Sequence, residues 1–595
     1  MASPAKNSAP SDSLPVWNLA DLFPGRDSPE LAAALNAALA DATAFEATYA
    51  GKLAGLSGAD LGAAIQLYEK LEERLSRLTS FSDLTYAGDQ SDPAIAKFYQ
   101  GIQERANAAA AHTLFFALEL NRLDDADLAK KLADPTLARY APWLADLRSF
   151  RPHQLADDME KLLHEKYVAG RAAWTRLFDE TMAGLRFDVD GKSMTSAEAL
   201  HLLSDRDGKV RKTAAKAVGK TLGDNARLFA LITNTLAKDK EIEDKWRRYA
   251  APISARNLAN RVEDDVVDAL MAAVHQSYPR LSHRYYALKA KWFGVERLDY
   301  WDRNAPLPLA DDASIAWPAA RDTVLEAYGD FSNELAGLGK RFFDNPWIDA
   351  SVRAGKAPGA FAHPTVPSAH PYLLLNYQGK TRDVMTLAHE LGHGVHQLLA
   401  AGQGHLLADT PLTLAETASV FGEMLTFRKM LAQASDPKRR KAMLAGKVED
   451  MLNTVVRQIA FCTFEKRVHD ERRGGELMPD RIGEIWMDVQ RESLGPVFRY
   501  DDEYRHYWTY IPHFVHTPFY VYAYAFGDCL VNSLYALYRK TPDGFAEKYL
   551  AMLRAGGSKR HKELLAPFGL DASDPGFWRQ GLGVVEGFID ELETL

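Results

Sequence analysis

A chain of 595 residues, 47% hydrophobic and 25% charged, has the composition of a soluble globular protein with several domains' worth of core. Its net charge of −9, spread without long single-sign blocks, argues against nucleic acid or an anionic membrane as partner. Two cysteines, Cys462 and Cys529, provide neither a disulfide framework nor a cysteine zinc site, and no run of 18 apolar residues is long enough to span a membrane.

Taken in chain order, Met1 to Pro15 is small and polar with one lysine, which reads as a disordered tail and not as a secretory signal. Helical spacing of Ala, Leu, Glu and Lys predicts helices over Ser28 to Leu53, Ala59 to Tyr86, Asp92 to Asn121 and Asp157 to Gly184. Leu185 to Ser193 alternates and turns at Asp190-Gly191, which predicts a short hairpin. Helices resume from Ala197 to about Asn260 and from Val262 to Phe293. Asp302 to Pro318 and Asp344 to Gln378 are dense in Pro, Gly and His and read as the least helical parts. Within them Ala360 to Tyr377 reads as loop and then strand, and an edge strand holds an extended peptide through backbone hydrogen bonds. His363 and His370 read equally well as cleft residues and as ordinary loop histidines. No fixed-period repeat and no long linker is present, so the expectation is a mainly α protein with a small β element.

The most specific chemistry lies in Leu387 to His396, which contains H-E-x-x-H as His389, Glu390 and His393. Apolar Val384, Leu387, Leu391, Val395 and Leu398 run through it at helical spacing. Residues four apart share a helix face, so His389 and His393 can place two imidazole nitrogens on one metal ion, with Glu390 beside it as proton acceptor. A third ligand is needed. His396 is almost two turns from His389, roughly 10 Å along the axis, and reads as a neighbour. The metzincin pattern would need a histidine where Leu399 stands. The segment Thr413 to Phe427 reads as a second helix after a Gly/Pro-marked loop, and two such helices can lie antiparallel. Glu416 can then face the histidine pair as ligand, and Glu423 can accept the free N–H of a ligand histidine. The competing reading of both is a solvated helix residue.

These motifs resemble the M3 family of zinc metallopeptidases, and within it the oligoendopeptidase F branch. Ala415 to Glu423 is similar to the family's A-E-x-A-S-x-F-x-E, which supports Glu416 as ligand. Trp17 to Pro24 is similar to the branch's opening segment, Arg256 to Glu263 and Tyr285 to Gly294 to interior ones, and Pro371 to Tyr377 precedes the metal helix as the family's substrate-edge strand does. That last likeness makes Tyr372 and Asn376 candidate substrate-binding residues. Tyr510 to Gly527 is similar to the family's His/Tyr segment, which faces the zinc across the cleft. A Tyr O–H or protonated His placed at the carbonyl oxygen stabilises the negative charge built there. His513 and Tyr520 are the main candidates, with His516, Tyr522 and Tyr524 behind them.

The resemblance implies a large, two-part helical zincin of the gluzincin type, with a small β element beside the metal helix and a deep substrate cleft. It implies a helical oligoendopeptidase F-like domain over 16–195 and an M3-like catalytic domain over 196–595, after the 1–15 tail. It further implies one Zn2+ per chain and cleavage of short, unfolded peptides at internal bonds. The expected setting is cytoplasmic, with no obligate protein partner. Two rivals stand beside this reading: an exopeptidase of the same clan, dipeptidyl carboxypeptidase-like, and a catalytically inactive zinc-stabilised binding protein.

Overall fold

Side chains set many of the helix starts. Ser28, Ser57, Asp92 and Asp124 each accept a backbone N–H hydrogen bond at the head of Pro29–Tyr49, Gly58–Gly88, Pro93–Ala110 and Asp125–Lys131. A computed structural model describes residues 14–307 and 314–595. It is 71% helical, in keeping with the mainly α expectation. The expected N-terminal tail lies, up to residue 13, outside the described residues.

Two long predicted helices are each broken in two. The run expected from Asp92 to Asn121 divides into Pro93–Ala110 and Leu114–Arg122. At the break the Thr113 hydroxyl donates to the Ala110 carbonyl at 2.9 Å and competes with the helix ladder. The run from Asp157 to Gly184 divides at Gly170, whose backbone (φ −101°, ψ −115°) is not helical, into Asp157–Tyr167 and Arg171–Gly184. The hairpin is present as predicted. Phe187–Val189 pairs with Lys192–Met194, and Asp190 (φ 52°) and Gly191 (φ 78°) take the two left-handed positions of the tight turn.

The chain folds as two compact units, each built from three separated segments, and the first division falls at Arg151/Pro152. The first unit holds the described residues of Met1–Arg151, Asp312–Gln433 and Thr541–Gly569. Its sheet has three strands, with Tyr372–Leu374 central, parallel to Ile348–Asp349 and antiparallel to Phe361–His363. This corrects the expectation that the Pro371 to Tyr377 segment is the edge strand: the edge nearest it in the chain is Phe361–His363. The second unit, with Pro152–Asp311, Ala434–Lys540 and Leu570–Leu595, is helical around Ala226–Arg247, Val456–Arg472, Tyr522–Lys540 and Pro575–Glu593. A two-residue parallel pairing of Leu298–Asp299 with Phe498–Arg499 completes it.

In the first unit, Thr381–Ala400 carries the H-E-x-x-H motif. Asp383 fixes its start by accepting the N–H groups of Gln378 (2.8 Å) and Lys380 (3.0 Å). Glycine inside the motif then allows a close approach. A Cβ on Gly392 would stand 2.6 Å from the Ala418 carbonyl oxygen and from the Ser419 Cα, and one on Gly394 would stand 2.6 Å from Phe342 Cζ. Across the contact, Gly422 in Thr417–Gln433 leaves room for the Tyr328 hydroxyl, which donates to the Ala388 carbonyl at 2.6 Å.

The Gly392 contact is against backbone, which cannot swing aside. Gly392→Ala gains about 1 kcal/mol of helix propensity but is expected to lose about 1–3 kcal/mol to overpacking. The expected net result is a lowered melting temperature; a variant that melts at or above the wild type would refute the close approach.

Candidate metal centre

Three side chains from two helices meet in the first unit. His389 and His393 lie one turn apart on Thr381–Ala400, with ring centroids 4.9 Å apart. Glu416 stands at a junction, since the helix expected over Thr413 to Phe427 breaks at this residue into Leu412–Ala415 and Thr417–Gln433. The break turns the carboxylate toward the histidines. Ser419 holds it there, its hydroxyl donating to Glu416 Oε2 at 2.8 Å.

Glu416 Oε2 is 3.4 Å from His389 Nε2 and 3.5 Å from His393 Nε2. One ligand atom from each residue lies within 4.8 Å of the others. Ligands at about 2.0–2.1 Å around a tetrahedral zinc stand about 3.4 Å from each other. The donor set, two imidazoles and a carboxylate, and its spacing therefore fit a zinc ion with a fourth position left over. Glu423 approaches the other side of the first ring, its Oε2 3.4 Å from His389 Nδ1. An acceptor at Nδ1 fixes the tautomer that presents Nε2 to a metal.

Glu390 is buried, 7% exposed, beside this group. Burial raises its pKa first, with His389 and His393 pulling the other way. The Ala362 N–H, from the edge strand, also favours its charged form. An open cavity of about 470 Å³ adjoins Glu390, lined by Gly359, Ala360, Leu375, Asn376, Tyr377 and Thr386 among others.

The charges explain what the site attracts. Burial alone would lower the His389 pKa, but the Glu423 hydrogen bond and the charges of Glu416, Glu390 and Glu423 hold it up, at about 9. Burial would raise Glu416, yet His393, His389 and Ser419 bring it down to about 2. Three carboxylates around two imidazoles thus call for positive charge, which protons supply when no cation does. His396 stands apart: it is buried, and burial and then the His393 charge push its pKa down to about 4. It is a neutral core residue tied to the Ala415 and Leu553 backbone, as a neighbour and not a ligand.

The remaining sequence candidates separate. Tyr372 is fully buried, and its hydroxyl donates to the Asn18 carbonyl at 2.9 Å, so it has no face toward a substrate. Asn376 does line the cavity beside Glu390, with its amide donating to the carbonyls of Ala357 (3.0 Å) and Gly359 (2.9 Å). His370 is buried against Trp347, with Nε2 2.9 Å from Asp21 Oδ2, and His363 Nδ1 accepts the Thr365 N–H at 3.0 Å. Ser419 and the Phe361–His363 edge were not singled out from the sequence. Ser419 is three residues past Glu416, a helical spacing that gives the signal for it; a three-residue strand gives none.

In the second unit the His/Tyr segment divides by face. His513, Tyr520 and Tyr524 cluster: His513 Nε2 is 3.5 Å from the Tyr524 hydroxyl, and the Tyr520 and Tyr524 rings are 5.3 Å apart. Tyr522, two residues from each, faces away and is fully buried with its hydroxyl accepting from Asn260 at 2.9 Å. His516 is exposed and its Nε2 is 2.8 Å from Asp179 Oδ1. Phe519 takes a left-handed backbone (φ 59°), with its N–H held by the buried Glu465 at 2.8 Å. Burial, then the charges of Arg457 and His516, holds His513 below its ordinary pKa. It therefore favours its neutral form, which carries one ring N–H beside the tyrosine O–H groups of the cluster.

A His/His/Glu group that could hold a metal ion, with a buried carboxylate beside it, is the donor set of a metal-dependent hydrolase of the peptidase type. The comparisons agree with that class. The Peptidase family M3 model matches residues 330–584 and the Oligopeptidase F model residues 119–187, together more than half of the chain. The oligopeptidase PepF of Bacillus subtilis is 28% identical over 98% of this chain and 87% of its own length. The group B oligopeptidase PepB of Streptococcus agalactiae is 27% identical over 91% of this chain and 92% of its own length. The fold is that of the oligoendopeptidase-F structure from Enterococcus faecium, with a TM-score of 0.70 at 22% identity over 95% of this chain and 97% of that one. The chain belongs to peptidase family M3, whose members are in general zinc-dependent. Among the described residues no helix is long and apolar enough to cross a membrane.

Since His389 carries a proton below about pH 9 in the metal-free site, metal uptake must displace it. Zinc binding at pH 7.5 is expected to release about one proton from this site, and zinc affinity to rise about tenfold per pH unit toward pH 9. Calorimetry in buffers of different ionisation enthalpy measures this; proton-neutral binding with pH-independent affinity would contradict it.

Proposed function

We infer that this protein is a metallo-endopeptidase that hydrolyses internal bonds of short peptides, with one zinc ion held by His389, His393 and Glu416. The single observation that supports this most is the 3.4–3.5 Å spacing of Glu416 Oε2 from the two imidazole nitrogens, with Glu390 buried alongside. The relatives' names are those of oligopeptidases, which favours internal cleavage over exopeptidase trimming.

Zinc, when bound, supplies Lewis acidity toward water and the scissile carbonyl. Glu390 accepts the proton of the attacking water and passes it to the leaving amine; its burial raises its basicity toward that task. Glu423 orients His389 through Nδ1. The exposed side of Phe361–His363 offers backbone groups for an extended peptide, and pairing through backbone tolerates many side chains. Tyr520 is carried, from the family resemblance, as the donor to the carbonyl oxygen, with the Tyr524 hydroxyl and His513 Nε2 in contact with each other at 3.5 Å. A cytoplasmic setting suits a protein whose two cysteines are both free and buried.

An end-blocked, quenched peptide of about ten residues is expected to be cut internally, to survive when zinc is chelated and to be cut again after zinc is restored. Glu390→Gln is expected to keep its zinc and lose activity by at least about a hundredfold. Trimming of only unblocked peptides would point to an exopeptidase, and near-normal turnover by zinc-loaded Glu390→Gln would remove Glu390 from the reaction. Tyr520→Phe is expected to lower kcat by about ten- to a thousandfold with KM and zinc content little changed; an unchanged kcat would exclude the Tyr520 hydroxyl.

A further inference from the structure

The second unit contains a cavity of about 180 Å³ whose walls are aromatic and whose polar groups are almost all donors. Tyr300, Trp301, Trp486, Tyr504, Tyr507 and Tyr510 form much of the wall, and Arg303 and Arg457 both reach it. Among the described residues, neither guanidinium has a carboxylate within ion-pair range. Arg303 meets only the Asn304 side-chain oxygen, at 3.4 Å, and Arg457 stands over the Phe461 ring at 5.0 Å. Carboxylates of the same region are engaged elsewhere: Asp302 by Arg211, Glu449 by Lys289 and Glu503 by Lys216.

Three donors here are buried without a partner: Arg457 Nε, Trp486 Nε1 and Gln490 Nε2. Gln490 lies with both arginines on a smaller adjoining cavity of about 10 Å³. The hydroxyls of Tyr300, Tyr504 and Tyr507 donate to Glu503, Gln490 Oε1 and the Ala215 carbonyl, and among the described residues none of their oxygens accepts from the three orphaned donors. Burial and the neighbouring Arg303 charge both disfavour the charged form of Arg457. Two like charges brought together in an aromatic chamber, with orphaned donors around them, destabilise the fold unless something neutralises them. A planar guanidinium pair is suited to a carboxylate or phosphate.

We propose that this cavity is a binding site for an oxyanion, a carboxylate or phosphate group held by Arg303 and Arg457. The lining shares no residue with the cavity beside Glu390. Two sources carry the chemistry, a carboxylate of a bound peptide and a small free anion, and the experiment separates them.

The zinc-loaded protein is melted across a potassium phosphate titration, with potassium chloride at equal ionic strength as control. A saturating rise in melting temperature with phosphate but not chloride, reduced at least tenfold in apparent affinity by Arg457→Met, is the expected result for a small oxyanion. The same melts are run on Glu390→Gln protein, a readout that needs no catalysis, with a peptide in free-acid and amidated forms. A response to the free acid alone, again lost in Arg457→Met, assigns the site to a peptide carboxylate. Arg457→Met should itself melt higher than the wild type without ligand, since it removes an uncompensated charge; if it does not fold, Arg303→Gln serves the same test. No saturating response to phosphate or free acid, or an equal response in the arginine variants, overturns the proposal.

Discussion

The backbone contact between Thr381–Ala400 and Thr417–Gln433 is the constraint on which the metal centre depends. Imidazole and carboxylate side chains are short, so two histidines on one helix reach a carboxylate on another only if the axes come close. Gly392 provides that closeness at the level of the motif, where its missing side chain is replaced by the Ala418 carbonyl and the Ser419 backbone. Glycine in a helix interior costs about 1 kcal/mol relative to alanine. The motif bears that cost twice, at Gly392 and Gly394, and in return the helix packs on Thr417–Gln433 on one side and on Phe342 on the other. The Tyr328 hydroxyl, bonded to Ala388 and seated against Gly422, spans the same pair of helices.

Once the axes are close, electrostatics decides what the space between them holds. Glu390, Glu416 and Glu423 share a small, half-buried volume with only two imidazoles. Such a group is uncomfortable without a cation, and the raised His389 pKa is the measure of that discomfort. The second unit shows the opposite imbalance: among the described residues, two guanidiniums with no carboxylate in ion-pair range and three buried donors without a partner. Both imbalances lower the stability of the empty fold, and both preorganise charge for something the chain does not itself supply.

The residues most legible in the sequence are those fixed by local geometry. His389, Glu390 and His393 follow from helix periodicity alone, and Asp190-Gly191 announces its turn because only certain residues accept a positive φ. Glu416 is reached only by placing a second helix against the first, and the resemblance supports it as ligand. What stayed hidden depends on tertiary neighbours. Strand order is one case: nothing within Tyr372–Leu374 tells that strands pair on both of its sides, so the sequence does not distinguish the central strand from the outer one. The break at Glu416 is another, since Thr413 to Phe427 reads as one continuous helix.

The His/Tyr segment shows how far a local rule goes before tertiary context takes over. The Tyr520 and Tyr524 rings meet and Tyr522 between them looks elsewhere, although the helix begins only at Tyr522 and helical phase does not cover Tyr520. Phase does not say which face is functional. Just before Tyr520, Phe519 holds a left-handed backbone at φ 59°, with its N–H bound by the buried Glu465. Arg457 adds a longer-range term: its charge helps keep His513 neutral. Removing or neutralising that charge would let His513 gain a proton more readily, so an anion on Arg457 and the protonation of the His/Tyr cluster are linked by electrostatics even without contact.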